Sequence, residues 1–112
     1  MFSRCLFLLY VVCYAYCYVA IDTSPLNFGM SSSFLTSNHA IDMRDGIRAG
    51  FLEANYRYGG VAGRQMILVD VEDEGNSSIA LKNTKNLYQN SSIIGLMGYT
   101  QSQSLIYSAE EA

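Results

Sequence analysis

Between two differently patterned stretches the chain reads Gly59-Gly60-Val61-Ala62-Gly63-Arg64. Before it, Ala40 to Tyr58 carries a helical repeat, and after it Gln65 to Val71 is a short β-prone run. Glycine enters the left-handed region freely and ends helices, so a helix stop here feeds directly into a strand. That order makes the stretch the hinge of a βαβ unit.

The segments on either side extend the pattern. Leu26 to Met30 is a brief strand with Phe28 and Met30 on one side, followed by the hydroxyl-rich loop Ser31 to His39, in which Ser37 or Asn38 can cap a helix. Ala40, Met43, Ile47, Phe51 and Ala54 recur at spacings of three and four, which puts them on one core-facing helix stripe. Gln65-Met66-Ile67-Leu68-Val69-Asp70-Val71 does not alternate, as expected of a strand covered on both faces. Glu72-Asp73-Glu74-Gly75-Asn76-Ser77-Ser78 gives an acidic turn and helix cap, and a second amphipathic helix follows, marked by Ala80, Leu81, Thr84, Leu87 and Tyr88. Ile93 to Gly98 gives a third buried strand, and Leu105 to Ala112 starts like a helix. Strands alternating with helices specify an α/β fold with a parallel three-layer, Rossmann-like sheet.

Residues 1–20 stand apart from this pattern. A short basic start ending at Arg4 precedes an uncharged apolar run from Cys5 to Ala20, shorter than the roughly 18 to 20 apolar residues a spanning helix needs. This reads as a secretory signal peptide cleaved after Cys17 or Ala20, or as a signal anchor retained in the membrane. Cys5, Cys13 and Cys17 all fall inside it, so the exported part has neither a disulfide framework nor thiol chemistry. Residues 21–112 then form a single unit, with three strands and an unfinished helix, expected to be a fragment of a larger protein located at the cell surface or secreted. The net charge of −3 and 15% charged residues include no basic cluster, which argues against nucleic acid as a partner.

The run Asp45 to Asn55, the hinge Gly59 to Arg64, the pair Glu72-Asp73 and the segment Ile94-Gly95-Leu96-Met97-Gly98 occur in order, and a Gly98-x-x-x-Ser102 turn follows. Together they resemble the start of the type 1 periplasmic binding proteins, above all the leucine/isoleucine/valine-binding proteins of ABC transporters. Relatives of those proteins include the extracellular ligand-binding regions of metabotropic glutamate, GABA and natriuretic-peptide receptors. The resemblance covers residues 26–112 and implies the partial N-terminal lobe of a clamshell domain that binds a small ligand such as an amino acid. A membrane transporter or receptor module would belong to the remainder of such a protein.

In an open parallel sheet, ligands bind beyond the carboxyl ends of the strands. The loop after the third strand offers Thr100, Ser102 and Ser104 together with the free amides of a helix start, a combination suited to a carboxylate. The resemblance aligns Ser102 with the serine that holds the ligand's α-carboxylate; as a plain alternative, Ser102 caps a helix. In the first loop, His39 falls where relatives place an aromatic residue, and Ser32 or Ser33 where they carry a Ser-Gly-Pro turn that this chain lacks. Asp70, Glu72, Asp73 and Glu74 invite a metal or hydrolase-like reading, but no cysteine or histidine joins them, and a cap-and-turn role is favoured. No catalytic residue, metal or cofactor is expected. The glycines at 59–63 precede a strand, whereas a dinucleotide fingerprint must follow one. Asn76-Ser77-Ser78 and Asn90-Ser91-Ser92 are acceptor sequons for N-glycosylation.

Overall fold

The computed structural model describes residues 21–99. They form β1 (Leu26–Ser32), α1 (Asn38–Tyr58), β2 (Met66–Glu72), α2 (Ser77–Gln89) and β3 (Ile93–Leu96), joined in a parallel sheet of order β2-β1-β3. The expected leader, the expected loop from residue 100 onward and the expected C-terminal helix start lie outside the described residues. No helix among the described residues is long and apolar enough to cross a membrane.

Helix α1 begins where Ser37, in extended backbone, accepts the Ala40 N–H on its side-chain oxygen. Ala40 is fully buried and Ile41, Arg44, Ile47 and Phe51 are partly so, which places the inward stripe slightly off the expected one. Met43, expected in the core, is 40% exposed. Arg44 takes the position beside it, its guanidinium 5.1 Å from the Phe34 ring centroid, so a charged head lies over an aromatic face while its stem covers apolar surface.

The hinge ends α1 and starts β2. Gly59 takes the left-handed conformation, and the Gly60 N–H reaches back to the Ala54 carbonyl at 3.1 Å. At Gly60 a Cβ would lie 2.0 Å from the Arg64 carbonyl oxygen, so only glycine fits. Val61 and Arg64 exchange two backbone hydrogen bonds of 2.9 Å around Ala62 and Gly63, both at positive φ, the conformation of a tight two-residue turn. Arg64 then ties this turn to the lead-in of β1. Its Nε donates to the Ser24 carbonyl at 2.7 Å, and its guanidinium lies 3.4 Å from Asp22. The Asp22 carboxyl is held below its usual range by hydrogen bonds from Ser24, with the Arg64 charge adding to them.

Adjacent residues of β1 point to opposite faces of the sheet. Phe28 meets Phe51 of α1 with ring centroids 5.3 Å apart, whereas a Cβ on Gly29 would lie 3.1 Å from Leu87 of α2. The two helices therefore cover opposite faces, and the missing side chain at Gly29 lets α2 approach the central strand. Met30, Phe34 and Ala40 form the core on the α1 side, with Ile41, Ile47 and Leu68 packed against them.

Coverage of β2 departs from the sequence expectation. Met66, Leu68 and Asp70 face α1, but Ile67 and Val69 are 40% and 36% exposed. The reason is the placement of α2, which contacts β1 and β3 and leaves the outer strand open on that face. The first strand also runs further than expected: Ser31 and Ser32 pair with Val71 and Glu72, so they belong to β1 instead of the loop. In β3 the register with β1 shifts between Asn27 and Phe28, and Ile94 is 55% exposed, so this strand is not fully buried.

Candidate functional site

The carboxyl ends of β1 and β2 carry a buried polar network. Ser31, Ser32, Ser33 and Asp73 are each at most 2% exposed. The Asp73 N–H donates to the Ser32 carbonyl at 3.1 Å, continuing the strand pairing by one residue. The Asp73 carboxylate accepts from the Ser31 hydroxyl at 3.3 Å and from the Gly75 N–H at 2.9 Å. Asn83 of α2 completes the network by donating to the Ser31 hydroxyl at 3.3 Å and to the Glu72 carbonyl at 2.8 Å.

Glu72 acts in the same way on its outer side. Its carboxylate accepts the Leu35 N–H at 3.0 Å and the Glu74 N–H at 2.8 Å, fixing the first loop against the second. Asp70 is in an ion pair with Arg48 of α1. Of the acidic residues that invite an enzymatic reading, Asp70, Glu72 and Asp73 are thus committed to an arginine, backbone amides and a serine hydroxyl, and Glu74 is exposed. Among the described residues no three His, Cys, Asp or Glu side chains come together as metal donors.

Of the residues expected to bind the ligand, Ser33 and His39 are among the described residues. Ser33 directly follows β1, is 1% exposed, and has a hydroxyl oxygen without a hydrogen-bond partner. A buried hydroxyl in that state costs free energy until something bonds to it, so among the described residues it is a buried side chain with capacity left to accept or donate. His39 is exposed in the first turn of α1. Thr100, Ser102 and Ser104 lie outside the described residues.

Tyr99, unassigned by the sequence reading, anchors the start of that loop. Its hydroxyl lies 2.6 Å from the Thr84 hydroxyl of α2, and Thr84 in turn donates to the Ala80 carbonyl at 2.8 Å. The Ser31–Asp73–Asn83 network was not anticipated either. The one local signal for it is the Asp73-Glu74-Gly75 spacing, which permits the aspartate to accept from the amide two residues on. Among the described residues a groove of about 350 Å³ lies elsewhere, along the free side of β2 between Arg48, Leu52 and Asn55 of α1 and Met66 and Ile67 of the strand.

The topology makes the carboxyl ends a switch point. From β1 the first crossover runs to β2 on one side, and the second returns past β1 to β3 on the other, so the strand order reverses between β1 and β3, the place where open parallel sheets bind their ligands. No protein-family model and no curated protein matches the sequence. Solved structures do match. The chain is similar to a possible leucine/isoleucine/valine-binding protein from Rhodopirellula baltica SH 1, with a TM-score of 0.70 and 22% identity over 81% of this chain and 25% of that one. It is similar also to a type 1 periplasmic binding protein from Bordetella pertussis Tohama I, with a TM-score of 0.69 and 20% identity over 78% of this chain and 24% of that one. The fold is that of a type 1 periplasmic binding protein lobe. In this periplasmic-binding-protein fold the chain spans about a quarter of the length of the solved structures it matches.

Proposed function

We propose that the chain supplies part of the ligand-facing lobe of a periplasmic or extracellular clamshell domain that binds an amino acid or a similar small polar ligand. The observation that carries this reading is the switch point between β1 and β3, with the unpartnered Ser33 hydroxyl directly after β1. The ligand's carboxylate would be held by Ser102, with Thr100, Ser104 and the nearby amides, while Ser33 and His39 approach from the first loop. A second lobe would then close over it by a hinge motion, delivering the ligand to a membrane transporter or signalling through a receptor.

Calorimetric titration of the full-length protein, with both lobes present, against L-amino acids tests the reading. Saturable binding is expected, and Ser102→Ala should weaken it by about 1 to 3 kcal/mol, the range for leaving a charged group short of a hydrogen bond. Unchanged affinity in that variant would remove Ser102 from the site. Absence of binding across the amino acids would overturn the ligand class.

A further inference from the structure

The two acceptor sequons sit in different local structures and at opposite ends of the sheet. Asn76 is the N-cap of α2: its side-chain oxygen accepts the Ser78 N–H at 2.9 Å and the Ile79 N–H at 3.4 Å. Ser77 and Ser78 are already wound into the first turn of α2, so the hydroxyl residue of that sequon serves the helix cap through its backbone. Asn90 ends the same helix in extended backbone. Its side-chain oxygen accepts the Ser92 N–H at 3.0 Å and the Ser92 hydroxyl at 2.8 Å. The turn is closed by the Ile93 N–H donating to the Asn90 carbonyl at 2.9 Å, and residues 90–92 are all exposed.

We propose that Asn90, and not Asn76, is an N-glycan attachment site. The Ser92 N–H and hydroxyl both go to the carboxamide oxygen, so the Asn90 side chain is held in an exposed turn with no hydrogen bond on its Nδ2 among the described residues, whereas Ser77 and Ser78 of the other sequon are wound into a helix. An acceptor sequon belongs in a surface loop, and of the two this is the one whose residues lie outside a helix. The co-reactant is an oligosaccharide on a polyprenyl diphosphate. A bond forms between the Asn90 Nδ2 and the anomeric carbon, and the bond from that carbon to the diphosphate oxygen breaks. The diphosphate leaves with the electron pair, and the amide proton passes to a base of the transferase. Position agrees with this assignment. Asn90 lies in the turn entering β3, at the amino end of the sheet, where a bulky sugar stays clear of the loops that follow the strands. Asn76 lies at the carboxyl end, beside the loop leaving β2. The proposal rests on export into a glycosylating compartment and not on ligand binding, so a failed amino-acid titration leaves it standing.

The test is translation of the full chain, leader included, into eukaryotic microsomes, followed by enzymatic deglycosylation in heavy-oxygen water and peptide mass spectrometry. One glycan is expected, with the heavy-oxygen aspartate at position 90. Asn90→Gln and Ser92→Ala should both abolish it, while Ser92→Thr keeps the hydroxyl and should keep the glycan, separating sequon chemistry from any loss of folding. Asn76→Gln should leave the mass shift unchanged. A bare Asn90, a glycan on Asn76, or a glycan retained in Ser92→Ala overturns the proposal.

Discussion

Asn55 shows how a single side chain can stand in for a strand. Its Oδ1 accepts the Met66 N–H at 2.8 Å and its Nδ2 donates to the Met66 carbonyl at 2.9 Å, so one carboxamide satisfies both backbone groups where β2 begins. Those groups lie at the start of the outer strand, which has no neighbour on that side among the described strands. Asn55→Ala removes both bonds and leaves a partly buried donor and acceptor to find water. A loss of about 1 to 3 kcal/mol is expected, read as a lower midpoint in urea denaturation with an unchanged slope. Asn55→Asp should recover less than the wild type, because a carboxylate can accept from the Met66 N–H but has nothing to donate to the carbonyl.

At the level of elements, β2 separates two kinds of apolar residue that look alike in sequence. Leu68 packs against the Met30–Phe34–Ala40 core, whereas Ile67 and Val69, its chain neighbours, face outward. Leu68→Ala should therefore cost about 2 kcal/mol or more, and Ile67→Thr about 0.5 kcal/mol or less, in thermal or chemical unfolding. Equal losses would mean that the outward face of β2 is covered in solution. Much of the element order was legible because helix caps, glycine stops and hydrophobic periods are local signals: Ser37, Gly59 and Asn76 each mark a helix end by its own chemistry. The face coverage of β2 was not, since it depends on where α2 lies, and an apolar run reads the same under one helix or two. Met43 was misplaced for a related reason. The spacing of three from Ala40 suits the inward stripe, yet Ile41 and Arg44 fill that face, and nothing in the local pattern declares that an arginine will pack over Phe34. The serines after Met30 read as loop because serine favours turns, but pairing to Val71 and Glu72 overrides that preference.

For the molecule as a whole, the sheet is unequal in its support. β1 is bonded to a strand on each side and covered by a helix on each face, while β2 and β3 each have one strand neighbour among the described residues. Local opening should follow that inequality. Hydrogen exchange followed by mass spectrometry or NMR is expected to find the slowest amides in β1, intermediate ones in β2, and the fastest strand amides in the four-residue β3, where the register shifts. Protection strongest in β3 would contradict the packing described above. The same order of strands bears on synthesis. The strand that ends up in the middle is made first, and its partners arrive later from either side of it, the second only after α2 has been made. A growing chain must therefore carry β1 with both edges unpaired until the crossover through α1 brings β2 alongside. The tight turn at Val61–Arg64, with Arg64 reaching back to Ser24, is the earliest device that can shorten that exposed interval.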